Sequence, residues 1–342
     1  VYNSGLFPDS IIEVKPTFTE GGTIVWEWHA WDHLIQDYDS TKANYGVVAD
    51  HPELIDINFG TDDWQPEWLH INSIDYNEKL DQILLSSPTM NEIFVIDHST
   101  TIQEAAGHTG GRYGKGGDLL YRWGNPQNYH AGDKSDQQLF FQHDARWIEP
   151  DCPGAGDITV FNSQANPSSV DEIVPPVDSN GNYYLEKGRS YGPEEPIWNI
   201  TSEDPYIFES GSYSGVQRLP DGNILISSAD RRSFFVVTPE KKLVWKAPIE
   251  CSHSFNGPFR MEYYPSDYPG LSCLSLSLEN GQSIIQNSQK QSIPQSTPQS
   301  QPSSTQQSVT STTTHTGAST TTTSTTTSTA TTSKSTSLQT SK

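Results

Sequence analysis

The chain has 342 residues, 20 lysines and arginines against 42 aspartates and glutamates, and a formal net charge of −22. That balance argues against nucleic acid and against anionic membrane surfaces as partners, since both repel an acidic protein. No stretch is long and apolar enough to span a membrane, and three cysteines with no C-x-x-C pair give no zinc or thiol-redox signature.

In chain order, the first signature is a short apolar run ending in tryptophan, TIVW at 23–26. The same ending recurs in DLLYRW at 118–123, PIW at 196–198 and KLVW at 242–245. Between these runs lie strand-like segments: NEIFVID at 91–97, DITVF at 157–161 and FFVVT at 234–238. LPDGNILI at 219–226 carries a Pro-Asp-Gly-Asn turn between two strands. The recurrence predicts an all-β fold, a β-propeller of four-stranded antiparallel blades. Three blades are expected, over 68–123, 142–198 and 214–245. The segment before His33 reads as the end of an earlier blade, and FRMEYY at 259–264 as the first strand of a later one. Three blades and two partial ones do not close a ring, so further blades are expected upstream of Val1.

Two long connections, 29–58 and 107–136, are rich in aromatic and acidic residues or in glycine, and loops of this length often carry binding function. From 279 to 342 the composition turns to Gln, Ser, Pro and then Thr, too polar to offset its ordering entropy. The domain reading is therefore a propeller over 1–278 and a disordered tail over 279–342. A Ser/Thr tail of this kind reads as a stalk or spacer, and the expected location is extracytoplasmic: secreted, periplasmic or at the cell surface. Asn199-Ile-Thr201 is an N-glycosylation sequon.

The chemistry-bearing runs are WLHINSIDYN at 68–77 and QHDARWI at 142–148. Each places a histidine at the start of an expected innermost strand. His70 and Asn72, two apart in a strand, would face the same side and could grip one oxyanion together. His143 would face the channel as a neutral imidazole nucleophile. Asp144 follows His143, but neighbouring strand residues point to opposite faces, so it is not expected to support the ring.

These two runs resemble the arylsulfotransferase (ASST) family, with its W-x-H-x-N-S-I-x-Y and Q-H-x-A-x-W-I motifs, over about residues 11 to 271. The resemblance implies an enzyme that moves a sulfuryl group from an aryl sulfate donor to a phenolic acceptor, with no nucleotide and no cofactor. It implies His143 as the transiently sulfated nucleophile, and His70 with Asn72 as the sulfate-binding pair. One position departs. The family's active enzymes carry arginine after the Ser-Ser pair, and this chain has Pro88 after Ser86-Ser87. The alternative is a propeller that binds a ligand or a surface partner without catalysis. Arg112, Lys115, Arg122 and Arg146 are candidates for a positive mouth, or else scattered surface cations. Trp31, Trp64, Trp68 and Trp147 are candidates for an aryl-stacking rim. His33 sits among aspartates, but no histidine spacing argues for a metal site, and none is expected. Cys251 and Cys273 could pair.

Overall fold

A computed structural model describes residues 5–17, 21–59, 66–201, 208–249 and 257–271, with the backbone of 276–279 and 282–285. The chain divides into two compact units, Val1–Cys273 and Leu274–Lys342. In the second, the described residues form one hairpin; the rest of the expected tail lies outside the described residues, as do Trp64, Cys251 and Cys273.

The first unit is all-β. A hairpin of β1 (Ser10–Pro16) and β2 (Gly22–His29) is followed by two short parallel strands, β3 (Leu34–Ile35) and β4 (Ile55–Asp56). Three four-stranded antiparallel sheets then follow in strict meander order. The first is β5 (Ser73–Asn77), β6 (Gln82–Ser87), β7 (Glu92–Asp97) and β8 (Tyr121–Trp123). The second is β9 (His143–Trp147), β10 (Ile158–Asn162), β11 (Ser169–Ile173) and β12 (Trp198–Thr201). The third is β13 (Gly215–Arg218), β14 (Ile224–Ser228), β15 (Ser233–Val237) and β16 (Leu243–Pro248). In the second unit β17 (Leu276–Glu279) pairs with β18 (Gln282–Ile285). The first strands of neighbouring sheets, β5, β9 and β13, pack beside one another. These are the blades of a β-propeller, with Trp123, Trp198 and Trp245 on the outer strands.

The middle strands show why the sequence folds this way. Side chains alternate across a strand. Ile83, Leu85, Phe94 and Ile96 therefore enter a core shared with Trp26 and Trp28, while Leu84, Ile93 and Val95 enter a second core shared with Trp147, Ile158 and Val160. A blade between two others is apolar on both faces, which is why ILL and IFVI run without polar alternation. A third core joins Phe161 and Val170 to Val216, Ile226 and Phe235. Each large side chain so buried contributes about 1.5–3 kcal/mol.

The first strands are also clasped through side chains. Ser73 Oγ accepts from the Ala145 N–H (3.1 Å), Asp75 Oδ2 from the Trp147 N–H (2.7 Å) and Asp144 Oδ2 from the Val216 N–H (2.9 Å). The turn at 219–223 closes as expected, with the Leu219 N–H donating to Asn223 O (2.8 Å) and Gly222 at φ +86. The expected strand at 259–264 does not form. That segment carries no sheet pairing among the described residues; it lies along β13, with the Tyr263 N–H donating to Gln217 Oε1 (2.8 Å).

Candidate functional site

His143 opens β9 and is 3% exposed. Its Nδ1 lies 3.1 Å from Phe141 O and 3.0 Å from Ser163 Oγ, and its Nε2 accepts the Tyr213 N–H at 3.2 Å. A carbonyl only accepts and an amide N–H only donates, so the contacts fix one tautomer: the proton on Nδ1, the lone pair on Nε2. Burial is the main cause that pushes the imidazole pKa down to about 4; the Phe141 carbonyl opposes this and the nearby His70 adds to it. The ring is therefore neutral at neutral pH. Phe141, Tyr213 and Phe259 pack around it with centroids 5.6–6.0 Å away.

Backbone strain concentrates here. Ten non-glycine residues among those described have positive φ, and five of them are His70 (50°), Phe141 (52°), Asp144 (55°), Tyr213 (54°) and Ser214 (78°). Such conformations cost about 1–3 kcal/mol each and persist where the surrounding structure over-determines them, often at functional sites.

Asn72 reaches the same junction. Its Nδ2 donates to Gln142 O (2.8 Å), and its Oδ1 is buried without a hydrogen-bond partner. Gln142 Oε1 is likewise buried and unpartnered, while its Nε2 donates to Ser87 O and Glu92 O. The expected strand geometry of His70 and Asn72 needs correction. β5 begins only at Ser73, because His70 adopts the left-handed region and breaks the extended run. The alternation argument therefore does not reach them. His70 is exposed, with Nδ1 2.8 Å from Glu67 Oε2.

Asp144 gives His143 no hydrogen bond; it pairs with Arg146 (2.9 Å) and the Val216 N–H. Pro88 is buried at the end of β6, and its carbonyl accepts from the Asn91 N–H (3.1 Å).

The candidate cations divide: Arg122 and Arg146 are held in ion pairs, while Arg112 and Lys115 are exposed on the surface. Arg122 is 1% exposed and donates twice to Glu92, at 2.9 and 2.5 Å, with its guanidinium 4.5 Å from the Tyr129 ring. Arg146 is held by Asp144 and Glu262. Arg112 donates to the carbonyls of Lys79 and Leu80. Trp68 and Trp147 are core residues rather than a rim, and Trp31 alone of the described candidates is exposed.

The family profile described as Arylsulfotransferase (ASST) matches residues 2–244. The chain belongs to the ASST family. No curated protein matches it. Among solved structures, a protein of unknown function from Bacteroides caccae is 16% identical over 63% of this chain and 59% of that one, with a TM-score of 0.34. Virginiamycin B lyase from Staphylococcus aureus is 11% identical over 55% and 44%, with a TM-score of 0.30. Hydrazine synthase from Kuenenia stuttgartiensis is 12% identical over 55% and 37%, with a TM-score of 0.29. The chain thus spans less than two thirds of the length of these structures.

Within this ASST-family fold, sequence reading missed three neighbours of His143. Ser163 and the backbone of Tyr213 come from 20 and 70 residues away, so no local pattern announces them. Phe141, two residues before His143, contributes a backbone carbonyl, which carries no side-chain signal. It also missed a cluster of ligand-type side chains. His33, His108 and Asp118 come together with their ligand atoms within 4.8 Å of one another.

Proposed function

We propose that this chain is an aryl-sulfate sulfotransferase working through a sulfo-histidine, with His143 as the nucleophile. The observation that carries the reading is the fixed tautomer of a neutral, buried imidazole, whose lone pair is on Nε2. Nε2 attacks the sulfur of an aryl sulfate; the N–S bond forms as the ester S–O bond breaks and the phenoxide leaves. A second phenol then attacks the sulfur, the N–S bond breaks, and the phenol's proton passes to the departed phenoxide or to solvent. Attack requires the Tyr213 N–H to part from Nε2. Once parted, that N–H and the second N–H of Asn72 Nδ2 are candidate donors to the sulfuryl oxygens, with His70 at the exposed side.

Incubation with an aryl sulfate followed by peptide mass analysis tests this. A sulfo group on the peptide containing His143 is expected, with loss on adding a phenol. No modification and no turnover would overturn the reading. A second reading, a non-catalytic binding propeller, is favoured by one observation: Pro88 stands where the resemblance expects arginine, and the nearby arginines are already paired with acids. For location, the Ser/Thr-rich tail supports an extracytoplasmic protein. Recovery of the intact chain only from the cytoplasm would overturn that part. Among the described residues no helix is long and apolar enough to cross a membrane.

A further inference from the structure

His33 ends a 3-10 turn, Ala30–His33, and is fully buried. Its ring stacks on Trp28 with centroids 5.5 Å apart and planes within 2°. Its Nε2 lies 2.9 Å from Ala105 O, and its Nδ1 lies 2.8 Å from Asp118 Oδ1. The carbonyl can only accept, so Nε2 carries the ring proton. In the neutral ring, Nδ1 then aims a lone pair at a carboxylate oxygen, which also only accepts. Two acceptors at 2.8 Å repel unless a cation lies between them, a proton or a metal ion. His108 adds a third ligand atom, with Nδ1 2.8 Å from the same Asp118 oxygen.

The surroundings are those of a metal ligand set. A ligating histidine usually donates its other N–H to a carbonyl or carboxylate, which fixes the ring and raises its basicity; Ala105 O fills that role here. The backbone is shaped to the ring as well. A Cβ added at Gly117 would lie 2.6 Å from His33 Nε2 and 2.0 Å from Ala105 O, so only glycine fits. Gly117 O in turn accepts from Trp28 Nε1 at 2.7 Å. Bonds of about 2.0–2.1 Å in a tetrahedron put ligand atoms about 3.3 Å apart. The two 2.8 Å contacts to Asp118 Oδ1 would each open by about 0.5 Å, and all three ligand atoms already lie within 4.8 Å of one another.

We propose that His33 Nδ1, His108 Nδ1 and Asp118 Oδ1 bind a zinc-type divalent ion. Two imidazoles and a carboxylate suit zinc, and three protein ligands leave a position open. The His108 side chain is 59% exposed and lines a cavity of about 810 Å³ with Trp31, Asp32 and His51. The open position thus lies toward that cavity, where water or an oxygen ligand completes the shell. Binding moves the His108 proton to Nε2 or releases it to solvent. Sequence spacing concealed the set, because His33 and His108 lie 85 and 10 residues from Asp118.

The test uses the full chain, stripped with a chelator and titrated with Zn²⁺ by calorimetry and with Co²⁺ by visible absorption. One equivalent is expected, with a Co²⁺ d–d band of the intensity of a four- or five-coordinate site. His108→Ala is exposed and should fold as the parent by circular dichroism, yet bind more weakly by at least the roughly 10–100-fold that an outer-shell partner costs. Asp118→Asn should do the same. His51→Ala, which leaves all three ligands in place, should bind as the parent. No stoichiometric uptake by the parent chain, or His108→Ala binding as tightly as the parent, would overturn the proposal.

Discussion

His143 can be dissected one nitrogen at a time. Asparagine places an amide near Nδ1, and glutamine places one near Nε2. In His143→Gln the side-chain oxygen can accept the Tyr213 N–H. In His143→Asn that N–H is orphaned, at a cost of about 1–3 kcal/mol. Both variants should form no sulfo-enzyme, and His143→Gln should be the more stable. The pH dependence sharpens this. The folded pKa of about 4 lies below the reference value of 6.5, so between those values the unfolded chain binds a proton that the folded chain refuses. The histidine's contribution is complete above about pH 6.5 and is lost as pH falls toward 4. By pH 4.5 the loss amounts to about 2.5 kcal/mol at 1.36 kcal/mol per pKa unit. Urea unfolding of both proteins from about pH 7 to about pH 4.5 isolates this term, because every other group cancels in the difference. The stability difference between parent and His143→Gln should shift by about that amount against the parent. A difference that stays constant to within about 0.5 kcal/mol, or a ring resonance titrating near its reference value, would refute the assignment of a buried neutral imidazole.

Asn72→Ala removes one hydrogen bond to Gln142 O but also an orphaned buried oxygen, so stability should change by less than about 1 kcal/mol, while sulfuryl transfer falls by roughly 10²–10³-fold if Asn72 is an oxyanion donor; equal activity in the two proteins would remove it from the site. Pro88→Arg should raise turnover of an aryl sulfate, and a variant that folds without any gain would favour the binding-module reading. Asp171 is buried in β11, and desolvation is the main cause that raises its carboxyl to about 6 against the hydrogen bonds from Asn162 and Ser169. Its favourable contribution is complete below about pH 3.8 and is lost as pH rises through 6, a change of about 3 kcal/mol. Asp171→Asn should flatten that part of the stability profile; an unchanged slope by urea unfolding would count against it.

The blades were legible because their signals are local. Tryptophan-bearing outer strands, the Pro-Asp-Gly-Asn turn and the doubly apolar middle strands each depend on residues a few positions apart. Of those outer strands only β8 ends at its tryptophan, whereas Trp198 opens β12 and β16 runs on past Trp245 to Pro248. The entry to β5 was misread for a local reason too: nothing in Leu69-His-Ile-Asn72 signals that His70 takes φ 50°. The stretch around Arg260 to Tyr263 reads as a strand by composition, yet its partners are side chains. Arg146 binds Glu262, and Gln217 accepts from Tyr263, so it lies beside a blade without joining a sheet. Arg122 looked available because the acid that holds it, Glu92, is 30 residues away, and Arg146 because one of its two acids, Glu262, is 116 residues away, the other being Asp144. The His33 cluster was hidden in the same way.

The clasp between first strands raises a question about His143 itself. Asp75 and Asp144 each accept a backbone N–H from the next first strand, 72 residues on, and His143 Nε2 accepts one 70 residues on. The atom proposed to attack sulfur thus also closes the junction between the second and third blades. A clasp needs only an acceptor, which an aspartate or an amide supplies. What sets His143 apart is that its acceptor is a desolvated imidazole lone pair, in a tautomer held by Phe141 O, amid a concentration of strained backbone that a simple clasp does not require. The two roles therefore compete for one lone pair, and substrate must displace the Tyr213 N–H. His143→Gln keeps the clasp and removes the nucleophile. If that variant holds its stability and loses the sulfo-enzyme, catalysis has been built onto a structural contact; if it loses neither, the contact is structural alone.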